Sequence, residues 1–192
     1  LGELGFQDGV DYDVYTSRRP GNDIGQGLGA RCTVDQLDVY TTLVFAGGNA
    51  LYDLITGVDS YSHDAAVLAP WLDRGGKRVL VTGDEFGSSL VDHGLHDLLT
   101  RFGVDHLDSD LAAVTGGGRD LRAAATADAQ VFPDGAVWQV HLGCPDRARV
   151  DAWHPAPDAW TAAGFTRAGG EELGYAAVVA RTEPGLDNRV LA

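Results

Sequence analysis

The chain has 192 residues, of which 44% are hydrophobic, and its formal net charge is -14 at pH 7. This length is enough for one sizeable hydrophobic core, so we expect a single domain over 1–192. The excess of acidic residues repels a phosphate backbone and an anionic lipid surface, which argues against nucleic acid as a partner and against lipid docking. No apolar run approaches the ~20 residues that a membrane helix needs, so we expect no membrane insertion.

The predicted elements alternate between strand and helix over the first hundred residues. In chain order they are a β-prone stretch at 11–16, a glycine-rich loop at 18–31, a short helix opened by a Thr33–Gln36 capping box, a strand at 41–48, a helix at 63–74, a strand at 78–82 and a helix at 85–101. Weaker signals follow, for a hairpin at 130–141 and for strands at 160–166, 174–181 and 188–192. Alternation of this kind implies a parallel sheet with helices on both faces, to which the later strands add an antiparallel part.

The two ends of the chain are typical of a truncated domain. The opening residues LGELGF resemble the end of a helix, and the closing residues NRVLA resemble a strand that stops partway. The sequence contains no methionine and no signal peptide. We therefore expect the first strand of the domain to be missing and its last strand to be cut.

Two loops lie where ligands bind in parallel sheets, beyond the carboxyl ends of the strands. The first contains Gly47, Gly48 and Asn49, and the second contains Gly83, Asp84 and Glu85. These six residues form the predicted ligand site if the domain binds a small molecule or a metal.

Several stretches resemble the class I glutamine amidotransferase-like superfamily, in particular the modules of this kind inside large secreted multidomain bacterial proteins. They are LVFAGGN, WLDRGGKRVLVTGDEFGSSLV, GCPDRARVDAW and ELGYAAVVAR, and together they cover nearly the whole chain. The resemblance implies a three-layer, flavodoxin-like, mostly parallel sheet with helices on both faces. It also implies an extracellular or cell-surface location and neighbouring domains of the same polypeptide as partners.

The position of the catalytic cysteine in that superfamily is occupied here by Asp84. Catalytic members carry their nucleophile in a G-x-C-x-G elbow, and without a thiol the thioester chemistry of glutamine hydrolysis is excluded. A tight elbow also needs small residues two before and two after the nucleophile, where this chain has Thr82 and Phe86. We therefore expect no glutamine amidotransferase activity. The leading hypothesis is a non-catalytic structural or interaction module of a larger extracellular bacterial protein.

Three roles are open for Asp84. As a helix cap it would accept hydrogen bonds from the backbone amides of residues 86 or 87, and this is the role that we expect. The second role is ligand or metal binding. In the third, a rival hydrolase would use Asp84 with His141 or His154. His154 precedes Pro155 as in the His-Pro-Glu of amidotransferases, but the residue after the proline is alanine.

Two further patterns are weak candidates for metal binding. His93 and His96 are three residues apart on the helix predicted at 85–101, a spacing that can hold a divalent metal. Asp105, Asp108 and Asp110 form an acidic cluster of the kind that binds calcium. Neither pattern has a complete ligand set, so we expect no metal and no cofactor. Cys32 and Cys144 form no zinc pattern, and whether they pair stays open because a bridge depends on their separation in space.

Overall fold

A computed structural model describes residues 2–14, 28, 32–48, 64–83, 86–108, 111, 121–126, 131–133, 135–139 and 150–192. The α-helices of this part are α1 (Val34–Leu37), α2 (Asp64–Asp73), α3 (Phe86–Asp92) and α4 (His96–Arg101). The strands are β1 (Thr42–Gly48), β2 (Arg78–Gly83), β3 (Val104–Asp108), β4 (Leu121–Ala125), β5 (Val137–Gln139), β6 (Ala152–Pro155), β7 (Ala159–Arg167), β8 (Glu172–Glu183) and β9 (Asn188–Leu191). The capping box predicted before α1 is confirmed, with Thr33 and Gln36 each bonding to the other's backbone.

The nine strands of the described residues belong to one sheet. Seven of them follow the order β1-β2-β9-β8-β7-β4-β5. Strands β1, β2 and β9 run parallel to one another, whereas every other pairing is antiparallel. The β3–β6 pair joins the sheet as a branch, because β6 pairs with the middle of β8 while β9 pairs with its end.

The predicted flavodoxin-like architecture is wrong. Strands contain 42% and helices 25% of the described residues. The sheet is mixed and strongly curled rather than mostly parallel with helices on both faces. The second half of the chain forms antiparallel pairs, and the β7–β8 pairing contains three register irregularities. Such bulges bend a strand and increase its twist, which is how a sheet curls instead of staying open.

Helices α1–α4 all pack on one face of the sheet, which we call the inner face. Their apolar residues join one core cluster with Val79, Val81 and Val190 of the sheet, and Trp71 of α2 is fully buried among them. The strands alternate as this packing requires: in β2 the residues at 79 and 81 are buried, and their neighbours face the other way. Position in the sheet therefore divides the strand residues into an inner and an outer set.

A buried polar network ties β9 to the helices of the inner face. Asn188, which is fully buried, accepts from the backbone N–H of Lys77 and donates to the carbonyl of Leu72 and to the Glu183 carboxylate. Glu183 in turn forms an ion pair with Arg101 of α4 at 3.0 Å. The amide of Asn188 thus bonds to three partners, in α2, in β8 and directly before β2, which fixes β9 beside β2.

The helix predicted at 85–101 is two helices, α3 and α4. Gly94, at φ 69°, ends the first one, because its N–H bonds to the Val91 carbonyl and the N–H of Leu95 bonds to the Leu90 carbonyl. This is the Schellman arrangement, in which a glycine takes the left-handed conformation directly after a helix. The prediction missed the break because the apolar stripe continues across it.

Candidate functional site

The face of the sheet opposite α1–α4 carries the best candidate surface, which we call the outer face. It consists of the outward residues of β1, β2 and β9 with the adjoining parts of β8 and β7: Thr42, Val44, Arg78, Leu80, Thr82, Trp160, Val178, Ala180, Thr182, Arg189 and Leu191. Strand register aligns five of them in one row across five strands, in the order Val44, Leu80, Leu191, Ala180, Trp160. Every member of this row is apolar.

The ends of this apolar row are open to solvent. Val44 is 57% exposed and Trp160 is 40% exposed, while Leu80 and Leu191 are half-buried. Phe132 packs against the cluster of the buried residues Ala162 and Ala180 and makes an edge-on contact with Trp138, their ring centroids 4.8 Å apart. The row is therefore buried at Ala180 and exposed at its two ends. Exposed apolar surface can mark interaction sites on proteins.

The predicted ligand site at the carboxyl ends of the strands is described only in part. Gly47 and Gly48 close β1, Gly83 closes β2, and Gly48 is the register partner of Gly83. The two glycine-containing ends therefore lie side by side. Asn49, Asp84 and Glu85 lie outside the described residues, as does His141.

The start of α3 is held by a residue from a distant part of the chain. Asp151 accepts hydrogen bonds from the backbone N–H groups of Gly87 at 2.8 Å and Ser88 at 3.1 Å, and from the Ser88 hydroxyl at 2.6 Å. We expected the amides of residues 86 or 87 to donate to Asp84, and the Gly87 amide donates to Asp151. A carboxylate 64 residues away in sequence thus serves the first turn of this helix.

Asp151 is a buried ionisable group whose surroundings act in opposite directions. Burial raises the pKa of Asp151 above its ordinary value, although the hydrogen bonds from Ser88 and Gly87 oppose that shift. Trp153 acts in the same direction as these hydrogen bonds and lowers the pKa of Asp151. Its indole N–H nevertheless makes no hydrogen bond with the described residues. Asp151 is 6% exposed, so this carboxylate acts on protein groups rather than on a ligand from solvent.

A pair of histidines lies on the β3–β6 branch of the sheet. His106 and His154 are register partners, and their rings stack with centroids 4.0 Å apart. Each imidazole has its own carboxylate: Asp105 lies 2.9 Å from Nδ1 of His106, and Asp108 lies 3.2 Å from Nε2 of His154. The structure thus brings His154, a candidate catalytic residue, together with Asp105 and Asp108, which the sequence analysis placed in a separate acidic cluster.

The predicted metal patterns have a different arrangement from the expected one. His93 and His96 do not share a helix, since the first follows α3 and the second begins α4. The carboxylates of Asp105 and Asp108 face histidines, and Asp110 lies outside the described residues. Within the described ranges no group of three or more His, Cys, Asp or Glu side chains could hold a metal ion.

Cys32 is a free thiol that donates to the carbonyl of Leu28 at 3.2 Å. Burial, together with the charge of Asp64, raises the pKa of this thiol, which disfavours the reactive thiolate. Cys144 lies outside the described residues.

Asp151, His106 and the outer-face residues were not predicted from the sequence. No local pattern connects Asp151 to Gly87, which is 64 residues away, and His106 meets His154 only through the pairing of β3 with β6. The outer face did leave a signal in the consecutive apolar residues of β2, which are typical of a strand that is covered on both faces.

Comparison with known proteins gives no family for this chain. No family model matches it, and no curated protein matches it. The chain is similar to a solved structure described as "mmIFT52 N-terminal domain", with a TM-score of 0.48 and 13% sequence identity over 84% of this chain and 69% of that one. Membership of the class I glutamine amidotransferase-like superfamily, expected from the sequence, is wrong: no family model and no curated protein supports it, and the sheet is mixed and strongly curled instead of flavodoxin-like.

Proposed function

We propose that this domain is a non-catalytic interaction module whose outer face packs against a neighbouring domain of the same polypeptide. The observation that carries the proposal is the apolar row from Val44 to Trp160, which is exposed at both ends. It crosses the parallel strands β1, β2 and β9, and parallel strands occur in folded proteins almost only with both faces covered.

The size and chemistry of the row favour a protein surface over a small ligand. Small-molecule sites are concave and enclose their ligand, whereas these side chains project in a line from successive strands of a sheet. Tryptophan is among the residues enriched at protein interfaces, and Trp160 stands at one end of the row. An apolar surface on an acidic chain supports a specific partner, because the net charge of -14 opposes indiscriminate association.

Hydroxyl-radical footprinting, read residue by residue by mass spectrometry, tests this function. The experiment compares this chain with the longer polypeptide in which we propose that it resides. Oxidation of Val44 and Trp160 should fall several-fold in the longer polypeptide. Val39, which is 76% exposed and lies beside α1, is the matched control and should be oxidised equally in both.

Two outcomes contradict the proposal. Equal oxidation of Val44 and Trp160 in the two proteins means that no neighbouring domain covers the row. Concentration-dependent protection in this chain alone, accompanied by dimerisation in analytical ultracentrifugation, means that a second copy covers it instead.

The rival function is a hydrolase, and one observation favours it. The Asp108 carboxylate lies 3.2 Å from His154, and a carboxylate that orients an imidazole is part of many acid–base sites. Turnover of p-nitrophenyl acetate by the wild type, with loss of that turnover in His154→Gln and in Asp108→Asn, would replace our proposal with this one.

The extracellular bacterial setting was implied by the superfamily resemblance and stays a prediction. None of the described helices has the length and apolarity needed to cross a membrane. Protease protection of the full polypeptide in intact cells tests the location directly.

A further inference from the structure

Two arginines lie side by side on the outer face. Arg78 of β2 and Arg189 of β9 are register partners on neighbouring parallel strands, and both are exposed. Neither guanidinium has an ion pair or a side-chain hydrogen bond with the part of the chain that the structure describes. Adjacent like charges on a sheet destabilise it, so this arrangement is unfavourable in the isolated domain.

Most other basic side chains of the described residues are paired with carboxylates. The ion pairs are Arg74 with Asp35 and Asp38, Lys77 with Asp38, Arg101 with Asp73 and Glu183, Arg167 with Glu171, and Arg181 with Asp158. Arg122 on β4 is the third arginine among the described residues without an ion pair. A chain with 28 acidic and 14 basic residues has carboxylates in excess, yet two of the unpaired cations lie next to each other on one surface.

The arginine pair borders the apolar row. Arg78 precedes Leu80 by two residues on β2, and Arg189 precedes Leu191 by two on β9. Residues two apart on a strand point to the same face, about 7 Å from each other. A surface that covers Leu80 and Leu191 therefore meets both guanidinium groups and removes water from them, which is costly unless it supplies counter-charges.

We propose that the protein surface that covers the outer face is acidic, with carboxylates beside apolar side chains, and that these carboxylates bind Arg78 and Arg189. This inference rests on the proposed function, since it specifies the chemistry of the same partner. Guanidinium groups bind carboxylates through paired hydrogen bonds, and a pair on adjacent strands fixes the register of the partner as well as its charge. The apolar row beside the pair selects a protein surface rather than a polyphosphate.

Three matched synthetic peptides test the inference. Each is an amphipathic helix with leucines on one face, and the opposite face carries glutamates, lysines or glutamines. Isothermal titration with this chain should give a Kd for the glutamate peptide about 10-fold or more below that of the glutamine peptide, as expected for added charge-assisted hydrogen bonds. The lysine peptide should bind no more tightly than the glutamine peptide.

Variants of the arginine pair separate this effect from general electrostatics. Arg78→Glu with Arg189→Glu should reverse the order, so that the lysine peptide binds more tightly than the glutamate peptide. Arg122→Glu makes the same charge reversal as each of these two substitutions but on β4, three strands away from β9, and should leave the preference unchanged. Equal effects of Arg122→Glu and of the double variant would overturn the inference.

The apolar row has its own readout, so the two proposals can fail separately. If all three peptides bind alike and Trp160→Ser weakens each of them, the interaction module stands and the acidic partner is wrong. The proposed function and the inference are both wrong if no peptide binds the wild type. They are also both wrong if neither Trp160→Ser nor the arginine variants change the affinity for any peptide.

Discussion

The two faces of the sheet differ in how their apolar side chains are covered. On the inner face Val81 is 3% exposed beneath the helices, whereas on the outer face Val44, one residue before Val81's partner in the neighbouring strand, is 57% exposed. The inner face also has the hydrogen-bond network of Asn188, which joins three elements. The same strands thus stabilise the fold through the side chains of one face and leave apolar side chains of the other face exposed. Substitutions on the two faces should therefore separate folding from binding.

The largest effect should come from Asn188, at the centre of the inner-face network. Asn188→Ala leaves the Lys77 N–H, the Leu72 carbonyl and Glu183 without this partner, and buried polar groups without partners are costly. We expect the free energy of unfolding in urea to fall by about 2–4 kcal/mol. The next residue, Arg189, faces outward, so Arg189→Ala should change the free energy of unfolding by less than about 0.5 kcal/mol. Equal losses in the two variants would contradict the division of β9 into two faces.

Asp151 should have the next largest effect. Asp151→Ala removes the acceptor for two backbone amides and one hydroxyl at the start of α3, which should cost about 2–3 kcal/mol. Asp151→Asn keeps an oxygen for the two amides and removes the buried charge. Its unfolding free energy should therefore stay within about 1 kcal/mol of the wild type.

The pH dependence of that comparison has a defined sign. Burial raises the pKa of Asp151 in the folded state, so ionisation is less favourable in the folded than in the unfolded chain. The contribution of this carboxyl group to stability is full below its unfolded pKa of about 3.9 and is lost as pH rises through the folded value. Between about pH 4 and about pH 8, the unfolding free energy of Asp151→Asn in urea should therefore increase relative to that of the wild type as pH rises. A gain that grows as pH falls would mean that the hydrogen bonds outweigh burial.

A pair of identical substitutions measures the two faces directly. Val81→Thr places a hydroxyl in the inner core and should lower the unfolding free energy by about 1–2 kcal/mol. Val44→Thr on the outer face should change it by less than about 0.5 kcal/mol in this chain. If a neighbouring domain covers the outer face as we propose, Val44→Thr should cost more in the longer polypeptide than in this chain. An unchanged small effect there would count against the proposed interface.

The parts of the fold that the sequence predicted well are those built from local signals. The strand at 78–82 and the helix at 63–74 are present as β2 and α2 within a residue of the expected bounds, because periodicity and the glycines at 75 and 76 are local. The strands at 160–166 and 174–181 are also present, each somewhat longer than expected. Local sequence pattern was sufficient to locate these elements, because their positions in the chain do not depend on which strands pair in the sheet.

The parts that it predicted badly depend on pairing between distant segments. The hairpin expected at 130–141 keeps its turn, since Ala136 donates to the Pro133 carbonyl, but β5 pairs with β4, whose residues precede the expected hairpin. The His106–His154 stack likewise depends on the pairing of β6 with β3, and Asp151, which directly precedes β6, contacts α3 64 positions earlier in the chain. We expected the later strands to add an antiparallel part to a mostly parallel sheet, whereas six of the eight strand pairings among the described residues are antiparallel.

The smallest effect should come from Asp187→Gly in the β8–β9 turn, which lies between the two faces and belongs to neither. Asp187 has φ 53°, a left-handed conformation that is unfavourable for residues with a side chain and that aspartate tolerates better than most. Asp187→Gly relieves this conformation but gives the unfolded chain more freedom, so the net gain in unfolding free energy should be at most about 0.5 kcal/mol. Asp187→Val should instead cost about 1–2 kcal/mol, because a β-branched side chain fits this conformation poorly. Both values should be the same in this chain and in the longer polypeptide, since the apolar row and not the turn is where we place the partner. A change in either value between the two proteins would extend the interface to this end of the sheet, beyond the outer face as we define it.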